Sequence, residues 1–546
     1  MKRILFYVHY NKYQGLSNHV LYQLTSISPL FEEIHIISNS SLTLTDKQRL
    51  KKCGKFVSVT ERENKGFDFA AWSEAMQKQG YPKLASYDSL VLMNDTCFGP
   101  FKNLEPYFQQ FESNPSIDFW GMTDFRRTWR FNHHLQSYFL SFSKKVVQSK
   151  VFQSFWNTVS DSTGDVQKVI KQYEARLTGV LSRAGFTYQA LVPTSQLDNS
   201  DIVNPDFTFY KPQLLLEQGL PFVKVKAIDA NQVWARQCLD YLQQQSDYPV
   251  NLIKEHLFQV LAPDSVCLLE DKISHAGEDF DSKVIHIHVK SSEYLKKLFS
   301  LMPVDYQKAD FVFTGVDESL LVATAHFYQK QGIKVKIQTV EDNRSLAAFL
   351  AISESVKSYD LIGHLSSELP FMKDGEELLS NFFSSFPKRV AMDRFAEVGL
   401  WINDLPDKGL YDESNGILSS QELLDLEKEW RTLGLKKTVS FIEWGRLIPV
   451  AGESFWCSSS LYGHLEDLYG HKEAKESLLR NWFYFLVYIA WAQNIDFHFL
   501  KSRTLSINLF KKIASERIRH QVLSPHPRTF LQKIIFRIHL LFGKKT

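Results

Sequence analysis

One carboxylate in this 546-residue chain stands where α/β proteins bind metal ions. Asp95 follows the apolar run 90–93 and the amide Asn94, and it precedes the turn 96–100, Thr-Cys-Phe-Gly-Pro. Mg²⁺ and Mn²⁺ take one or two oxygen ligands from a protein, while substrate phosphates and water fill the remaining positions. The position of Asp95 therefore predicts a divalent-cation site. An isolated Asn-Asp pair is also typical of a turn or a helix cap.

A charged turn lies in the segment 62–72, Arg-Glu-Asn-Lys-Gly-Phe-Asp-Phe-Ala-Ala-Trp, between a strand-like run and a helix-like run. Ligands of α/β proteins bind at such strand ends. Gly66 would let the backbone approach a ligand closely. Asn64 and Asp68 would hydrogen-bond a ribose, sugar hydroxyls or the water shell of a metal ion. Asp68 also suits a cap of the helix expected from Phe69, and the two roles are compatible.

The elements that must position these residues alternate between strand and helix. Apolar runs predict strands at 4–8, 33–37, 56–60 and 89–93, and helical patterns cover 17–27 and 69–79. This alternation indicates a parallel sheet with helices on its faces. Each strand ends in a polar cluster: His9-Tyr10, Ser38-Asn39, Asn64–Asp68 and Asn94-Asp95-Thr96. All four clusters are expected at one edge of the sheet, where they would form a site.

This order of clusters resembles that of nucleotide-sugar glycosyltransferases of the GT-A type. The resemblance implies a Rossmann-like α/β domain in which an N-x-G turn (64–66 here) precedes a strand that ends in an acidic metal motif. Asn94-Asp95 replaces the usual D-x-D, and one carboxylate with a diphosphate can still hold Mg²⁺ or Mn²⁺, with Asp95 as the metal ligand. The expected nucleotide-sugar contacts are His9, Tyr10, Ser38, Asn39, Asn64, Gly66, Asp68 and Asn94.

Glycosyl transfer by single displacement also needs a base for the acceptor hydroxyl. In GT-A enzymes this acid commonly opens a helix that is followed by a glycine and a strand. The segment 172–193 has that form, with Glu174 before a helix to Arg183 and then Gly185. Glu174 is the preferred base and Asp124 the alternative, although most glutamates on amphipathic helices are surface residues.

A polar cluster precedes the aromatic run in 132–145, Asn-His-His-Leu-Gln-Ser-Tyr-Phe-Leu-Ser-Phe-Ser-Lys-Lys. The adjacent His133 and His134 lack a third metal ligand at suitable spacing. His134, Gln136 and Ser137 are therefore expected to contact the acceptor or a phosphate. The alternative is a half-buried histidine whose partners lie within the protein.

The pattern of the first 100 residues recurs later in the chain. The segments from Ile285, Asp310, Val335 and Tyr359 resemble the first four strands, and 55 residues separate both His9 from Asn64 and His288 from Asn343. We predict a GT-A-like catalytic domain at 1–250 and a degenerate α/β copy at 281–500, with the boundary near 274–283. Ser345 and Ala347 are expected to replace Gly66 and Asp68 in this copy, and Ser366-Ser367 to replace Asn94-Asp95. Its expected role is structural or acceptor-binding, and an independent second active site is the alternative.

Composition narrows the class of protein. A net charge of +2 gives no global basic field for nucleic acid, and five scattered cysteines favour a reducing compartment over a disulfide framework. The longest apolar stretch, 482–492, is shorter than the roughly 20 residues of a membrane helix, so a cytoplasmic protein is expected.

The tail 501–546 carries eleven Lys/Arg and one acid, with apolar residues at helical spacing. It is expected to form a basic amphipathic helix on the inner face of the membrane or, alternatively, to pack on the preceding domain.

The segments VHYN, RENKGFDFAAW, LVLMNDTCFGPF, DFWGMTD and HLQSYFLSFSK together resemble the rhamnan synthesis protein F family, strongly over about residues 1–240 and more loosely to about 500. The resemblance implies an inverting rhamnosyltransferase with dTDP-L-rhamnose as donor and a polyprenyl-diphosphate-linked glycan as acceptor in cell-wall polysaccharide synthesis. The alternative is a non-catalytic glycan-binding or scaffold subunit. A hydrolase that pairs Asp95 with Glu174 has less support from the sequence.

Overall fold

The computed structural model describes residues 1–500 except 13–14, 129–130, 162–163, 200–204, 231, 262, 264–276, 303–307, 373, 385, 390–396, 404–410, 413–417 and 442–445. The predicted tail 501–546 lies outside the described residues. The chain divides into two compact units. The first unit contains Met1–His256, and the second unit contains the described residues of Leu257–Ser515.

The first unit is built on a mixed sheet. Its strands are β1 (Arg3–His9), β2 (Glu33–Ser38), β3 (Val57–Glu61), β4 (Ser89–Asn94), β5 (Cys97–Phe98), β6 (Phe119–Phe125), β7 (His134–Leu135), β8 (Phe139–Ser143), β9 (Tyr188–Val192) and β10 (Val223–Lys224). The sheet order is β3-β2-β1-β4-β8-β6, with β7 and β9 both paired to β6, and β5 pairs separately with β10. β1 to β4 are parallel, whereas β8 is antiparallel to both β4 and β6.

Helices cover both faces of this sheet. Their bounds are Asn18–Ile27, Leu44–Lys51, Phe67–Gln79, Tyr81–Leu84, Glu105–Glu112, Lys144–Val147, Lys150–Asn157, Val166–Val169, Ala175–Arg183, Phe207–Tyr210, Pro212–Glu217, Val225–Asp229, Gln232–Gln245 and Asn251–Val260. One core cluster includes Tyr7, Leu24 and Phe108, and the other includes Phe6, Trp72 and Trp156. Alternate residues of β1 belong to opposite clusters because strand side chains alternate between the two faces of a sheet.

The second unit repeats this plan. Its strands are β11 (Glu278–Asp279), β12 (Lys283–His288), β13 (Asp310–Gly315), β14 (Val335–Thr339), β15 (Leu361–Ser366), β16 (Lys388–Arg389), β17 (Glu397–Ile402), β18 (Tyr411–Asp412), β19 (Arg446–Leu447), β20 (Phe455–Ser458) and β21 (Ile495–Phe499). Its helices are Ser292–Leu301, Glu318–Gln329, Ser345–Leu350, Ser353–Val356, Gly375–Ser384, Ser420–Thr432, Ser459–Gly470 and Lys472–Ala492. No helix among the described residues is both long and apolar enough to cross a membrane.

The order of the second sheet is β14-β13-β12-β15-β20-β17-β21, and β20 is antiparallel to both of its neighbours. Strand for strand this matches β3-β2-β1-β4-β8-β6-β9 of the first unit. The predicted fold class, a GT-A-like α/β domain followed by a second α/β copy, is confirmed in this architecture. The repeat extends over seven strands, whereas the sequence indicated only the first four.

The register of the strands corrects the predicted correspondence between the copies. Val8 pairs with Ile37 and Asn94, and His288 pairs with Thr314 and Ser366, so Val8 and not His9 matches His288. The equal spacing of 55 residues therefore does not mark equivalent positions, because His9 and His288 are offset by one residue in the two strands. The helices after the third strands begin at Phe67 and Ser345. The contacts of these helices with the first strands match Trp72, which donates to the Phe6 carbonyl, with Phe349, whose ring centroid lies 5.4 Å from that of His286. This match places Asn343 and Ser345, instead of Ser345 and Ala347, at the positions of Gly66 and Asp68.

Candidate functional site

The carboxyl ends of β1 to β4 bring the four polar clusters to one edge of the first sheet. Side-chain hydrogen bonds connect the clusters across the strands. His9 Nδ1 lies 2.9 Å from Ser38 Oγ, the Asn39 amide donates to Asn64 at 3.1 Å, and the backbone N–H of Tyr10 donates to Asp95 at 2.7 Å. Residues that are up to 85 positions apart in sequence thus share a single polar network.

Two carboxylates, Asp68 and Asp95, form an acid pair at this edge. Asn94 is the last residue of the buried strand β4, and its side-chain amide donates a hydrogen bond to Asp68 at 2.7 Å. Asp95 directly follows Asn94 in the chain. Among the described residues, no cation lies within ion-pair distance of either carboxylate. No cation of the described protein therefore neutralises the ionised acid pair by direct contact.

The titration of the acid pair reflects this environment. Burial raises the pKa of Asp95 to about 8, and the neighbouring Asp68 adds to this shift. Burial also raises the pKa of Asp68 to about 6, with the Asn94 hydrogen bond opposing the shift and the Glu174 carboxylate adding to it. Repulsion between like charges in a poorly solvated place is what a bound cation relieves.

The acid pair fits a divalent cation of the kind predicted. Asp68 and Asp95 would supply carboxylate oxygens. The described residues contain no group of three or more His, Cys, Asp or Glu arranged to hold a metal ion. Such a cation would therefore need water or substrate oxygens for its remaining positions, which is the usual situation for Mg²⁺ in phosphate chemistry.

Glu174 lies beside the acid pair. It ends a π-helical turn, Ile170–Glu174, that continues directly into the helix Ala175–Arg183. The α-helix that follows Glu174 ends at Arg183 as predicted, but helical structure already begins at Val166, so Glu174 lies within a longer helical segment. The carboxylate accepts a 3.0 Å hydrogen bond from the backbone N–H of Ser137, and its charge is near enough to Asp68 to raise the pKa of that residue. π-helical turns are frequent at functional sites because they displace one residue from the regular helical surface.

Asp124 is held differently from Glu174. It is buried and receives hydrogen bonds from His133 at 2.8 Å, from Thr194 at 3.0 Å and from the backbone and hydroxyl of Ser195. Burial alone would raise the pKa of Asp124, but these hydrogen bonds outweigh it and hold the pKa below its usual value. A carboxylate that is fully engaged in this way is a weak proton acceptor, so the arrangement favours Glu174 as base.

His9 presents an unsatisfied nitrogen at the site edge. Ser38 donates its hydroxyl proton to the Ser40 carbonyl at 2.7 Å, so we assign the 2.9 Å contact as His9 Nδ1–H donating to Ser38. Burial lowers the pKa of His9 to about 4, which keeps the ring neutral at pH 7. Nε2 is then a lone-pair acceptor, and it is buried without a hydrogen-bond partner in the described structure.

The turn that contains Asn64 and Gly66 is tied to the protein itself. Arg62, which the sequence analysis did not single out, donates to Asn39 and pairs with Glu74. Gly66 has φ 65°, and a Cβ there would lie 2.7 Å from the Asp161 backbone. This close approach is to a neighbouring loop and not to a ligand surface. Asp68 is not a cap, because Gly66 holds the N-cap position of the helix Phe67–Gln79.

The predicted acceptor residues are mostly engaged with other protein groups. His134 donates to the Asn132 carbonyl at 2.7 Å, and Gln136 accepts from Thr123 at 2.7 Å. Both side chains are buried. Ser137 is also buried and acts through its backbone on Glu174. Their contact with an acceptor stays a prediction.

The equivalent edge of the second unit has no acid pair. Ser345 occupies the position of Asp68, and its hydroxyl lies 2.9 Å from His364 Nε2, while Ser367 occupies the position of Asp95. Ser367 donates to the His288 carbonyl at 2.8 Å. Arg344, which follows the match for Gly66, is bound to Asp342 and Glu476. The two copies share a sheet but differ in the groups that would hold a cation.

Comparisons with known proteins complement this geometry. The uncharacterised protein y4gN of Sinorhizobium fredii (strain NBRC 101917 / NGR234) is 28% identical over 182 residues, which cover 33% of this chain and 45% of that protein. The chain thus spans less than half the length of this curated relative.

Solved structures give weaker likenesses. The apo-form glycosyltransferase GlyE of Streptococcus pneumoniae TIGR4 is 12% identical with a TM-score of 0.26, over 70% of this chain and 90% of that one. The Mn/GDP form of core-mannan synthase A from Aspergillus fumigatus is 8% identical with a TM-score of 0.21, over 34% and 70% of the two chains. These TM-scores are too low to support an inference about this chain.

A family profile gives the decisive comparison. The profile described as rhamnan synthesis protein F matches residues 34–494, which include most strands of both sheets, the acid pair and Glu174. The predicted family is confirmed: the chain belongs to the rhamnan synthesis protein F family.

Proposed function

We propose that the chain is a metal-dependent glycosyltransferase whose active site is the acid-pair edge of the first unit. The observation that carries the proposal is the convergence of three carboxylates there. Asp68 and Asp95 face the same region, and Glu174 is held beside them by the Ser137 N–H. Family membership supports a role in polysaccharide synthesis.

The donor would be a nucleoside-diphosphate sugar. A divalent cation at Asp68 and Asp95 would neutralise charge on the diphosphate. His9 Nε2 would accept a hydrogen bond from a nucleobase N–H or a ribose hydroxyl, which would satisfy its buried lone pair. The family resemblance supports dTDP-L-rhamnose as the sugar nucleotide.

Glu174 would act as the base in a single displacement. The acceptor hydroxyl gives its proton to the Glu174 carboxylate while its oxygen forms a bond to the anomeric carbon of the sugar. The bond from that carbon to the diphosphate oxygen breaks, and its electron pair leaves with the nucleoside diphosphate. Attack opposite the leaving group inverts the anomeric centre, so dTDP-β-L-rhamnose would give an α-rhamnoside.

The acceptor we propose is a polyprenyl-diphosphate-linked glycan at the inner face of the membrane. The basic composition of residues 501–546 supports this proposal, because a cluster of Lys and Arg is attracted to anionic lipid. The second unit would then be structural or acceptor-binding, since it lacks the acid pair.

A thermal-shift panel of dTDP-L-rhamnose, UDP-sugars and GDP-sugars, each with and without Mg²⁺ or Mn²⁺, tests the donor. A ligand that binds only the native state must raise the melting temperature. We expect stabilisation by dTDP-L-rhamnose with metal in the wild type and its loss in Asp95→Asn. A larger effect of a UDP- or GDP-sugar would refute the rhamnose donor alone. If no nucleotide sugar of the panel stabilises the wild type, a non-catalytic scaffold would be favoured instead.

A further inference from the structure

Lys224 is a half-buried cation beside the acid pair that the sequence patterns did not reveal. It ends β10, whose antiparallel pairing with β5 places Lys224 opposite Cys97. The next residue, Val225, donates its backbone N–H to the Thr96 carbonyl at 2.9 Å. These bonds connect Lys224 to the turn that directly follows Asp95, although about 130 residues of chain separate them.

The Lys224 side chain is positioned by an aromatic ring. Its ammonium lies 5.2 Å from the ring centroid of Tyr138, whose hydroxyl is 2.9 Å from Thr123 Oγ1. Lys224, Tyr138 and Cys97 line one crevice of the first unit. Contact with a ring face attracts the ammonium but does not neutralise it.

The positive charge of Lys224 is available to a ligand of the site. The pairing of Lys224 with Cys97 places it beside a residue only two positions after Asp95. Among the described residues, no carboxylate lies within ion-pair distance of its ammonium. A ligand that bridges the acid-pair cation and this ammonium must itself carry several anionic oxygens.

We propose that Lys224 binds the diphosphate of the donor and, after transfer, of the leaving nucleoside diphosphate. This inference rests on the proposed function and adds a specific anion-binding residue to it. The ammonium would pair with a phosphate oxygen that the metal ion does not take, and it would stabilise the charge that the leaving group gains as its bond to the sugar breaks. A charge-assisted bond of this kind is short and strong.

Titration calorimetry with nucleotides of different phosphate number tests the proposal. The probes are dTMP and dTDP, with UMP, UDP, GMP and GDP as further pairs, all with Mg²⁺ on the full chain. We expect the wild type to bind a diphosphate more tightly than its monophosphate. Lys224→Met should lower the affinity for the diphosphate by about ten- to a hundred-fold, as expected for a lost hydrogen bond to a charged group. Its affinity for the monophosphate should be unchanged.

Two further variants complete the test. Lys224→Arg keeps the charge and should retain most of the preference for diphosphate, which also guards against a Met variant that folds poorly. Lys226→Met is the matched control, because Lys226 is exposed two positions away, with its ammonium 5.9 Å from the Phe209 ring. It should bind like the wild type. If the wild type prefers diphosphate and folded Lys224→Met keeps that preference, the role of Lys224 is refuted while the proposed function stands. If the wild type binds no nucleotide of the panel, the proposed function and this inference both fail.

Discussion

The side-chain amide of Asn94 donates a 2.7 Å hydrogen bond to Asp68, and this bond joins the end of β4 to the helix that follows β3. The chain has no D-x-D motif at β4. Asp68, which lies 27 positions before Asp95, supplies the second carboxylate instead. Asn94 thereby positions an acid that a motif search confined to β4 would miss.

The acid pair should destabilise the protein when metal is absent. Burial raises the folded-state pKa of Asp68 to about 6 and that of Asp95 to about 8, so the stability they contribute is fully present below about pH 4 and is lost as pH rises from there to about 8. At pH 8 in EDTA we expect Asp95→Asn to melt at a higher temperature than the wild type, by roughly 2–4 °C per kcal/mol of relieved repulsion.

Calorimetric melting of Asp95→Asn, with and without Mg²⁺, checks this prediction. Added Mg²⁺ should stabilise the wild type and not the variant. Glu217→Gln is the control, because Glu217 is an exposed acid of the same unit whose carboxylate accepts a hydrogen bond from Gln213. A lower melting temperature for Asp95→Asn in EDTA would contradict the account of an uncompensated acid pair.

Glu174→Gln should lose turnover and keep donor binding. Gln can still accept the hydrogen bond from the Ser137 N–H, so the local structure should persist, but it cannot take a proton from the acceptor. We expect the transfer rate to fall by about a hundred- to ten-thousand-fold, the usual contribution of a general base. Steady-state transfer and donor-binding assays separate the two effects, and an unchanged rate would exclude Glu174 as the base.

Asp124→Asn should act on stability more than on the chemical step. The Asp124 carboxylate accepts bonds from His133, Thr194 and Ser195, and an amide cannot replace all of them. We expect a loss of about 1–3 kcal/mol in the free energy of unfolding, measured by denaturant titration. Wild-type stability together with abolished transfer would instead show that Asp124 is the catalytic base.

Acid should destabilise the second unit through three buried histidines. His286 Nδ1 lies 2.9 Å from His364 Nδ1, and Thr314 Oγ1 lies 2.8 Å from His286 and 3.0 Å from His288. Burial lowers the pKa of all three, that of His364 to about 3. The unfolded chain therefore takes up protons below about pH 6.5 that the folded unit excludes, so stability falls as pH falls through that value.

The double variant His286→Phe/His364→Leu tests this explanation. It places in the second unit the residues that its register assigns to the same positions of the first, Phe6 and Leu92. Melting temperatures measured from pH 5 to pH 7.5 should vary less in the variant than in the wild type. An unchanged pH dependence would mean that other groups, such as His9 and His256 with pKa values lowered to about 4, control the acid sensitivity.

The local sequence pattern predicted those site residues that come directly after the strands. The four strand ends and the parallel sheet come from apolar runs with polar ends, and the observed strands differ from the predicted ones by one or two residues. Lys224 could not be found in this way, because its place depends on the pairing of β5 with β10, more than 120 residues apart. A short two-residue strand carries no hydrophobic periodicity that would indicate its partner.

The slip of one residue between the two copies has a similar cause. Apolar strands resemble one another at several offsets in sequence, and only the hydrogen-bond register fixes which residue faces which helix. The role of Asp124 was equally hidden, since the groups that bind it come from the residues before β7 and from the turn after β9. The predicted membrane role of 501–546 concerns residues outside the described structure and remains a prediction.

The rate of sugar transfer from dTDP-L-rhamnose to a polyprenyl-diphosphate-linked acceptor, with Mg²⁺, tests the central claim most directly. The variants to compare are Asp95→Asn in the first unit and Ser367→Ala at the matching position of the second. The account predicts transfer by the wild type, a fall of at least about a hundred-fold in Asp95→Asn, and a rate close to wild type in Ser367→Ala. Full activity in Asp95→Asn, or its loss only in Ser367→Ala, would contradict the assignment of the active site to the first unit.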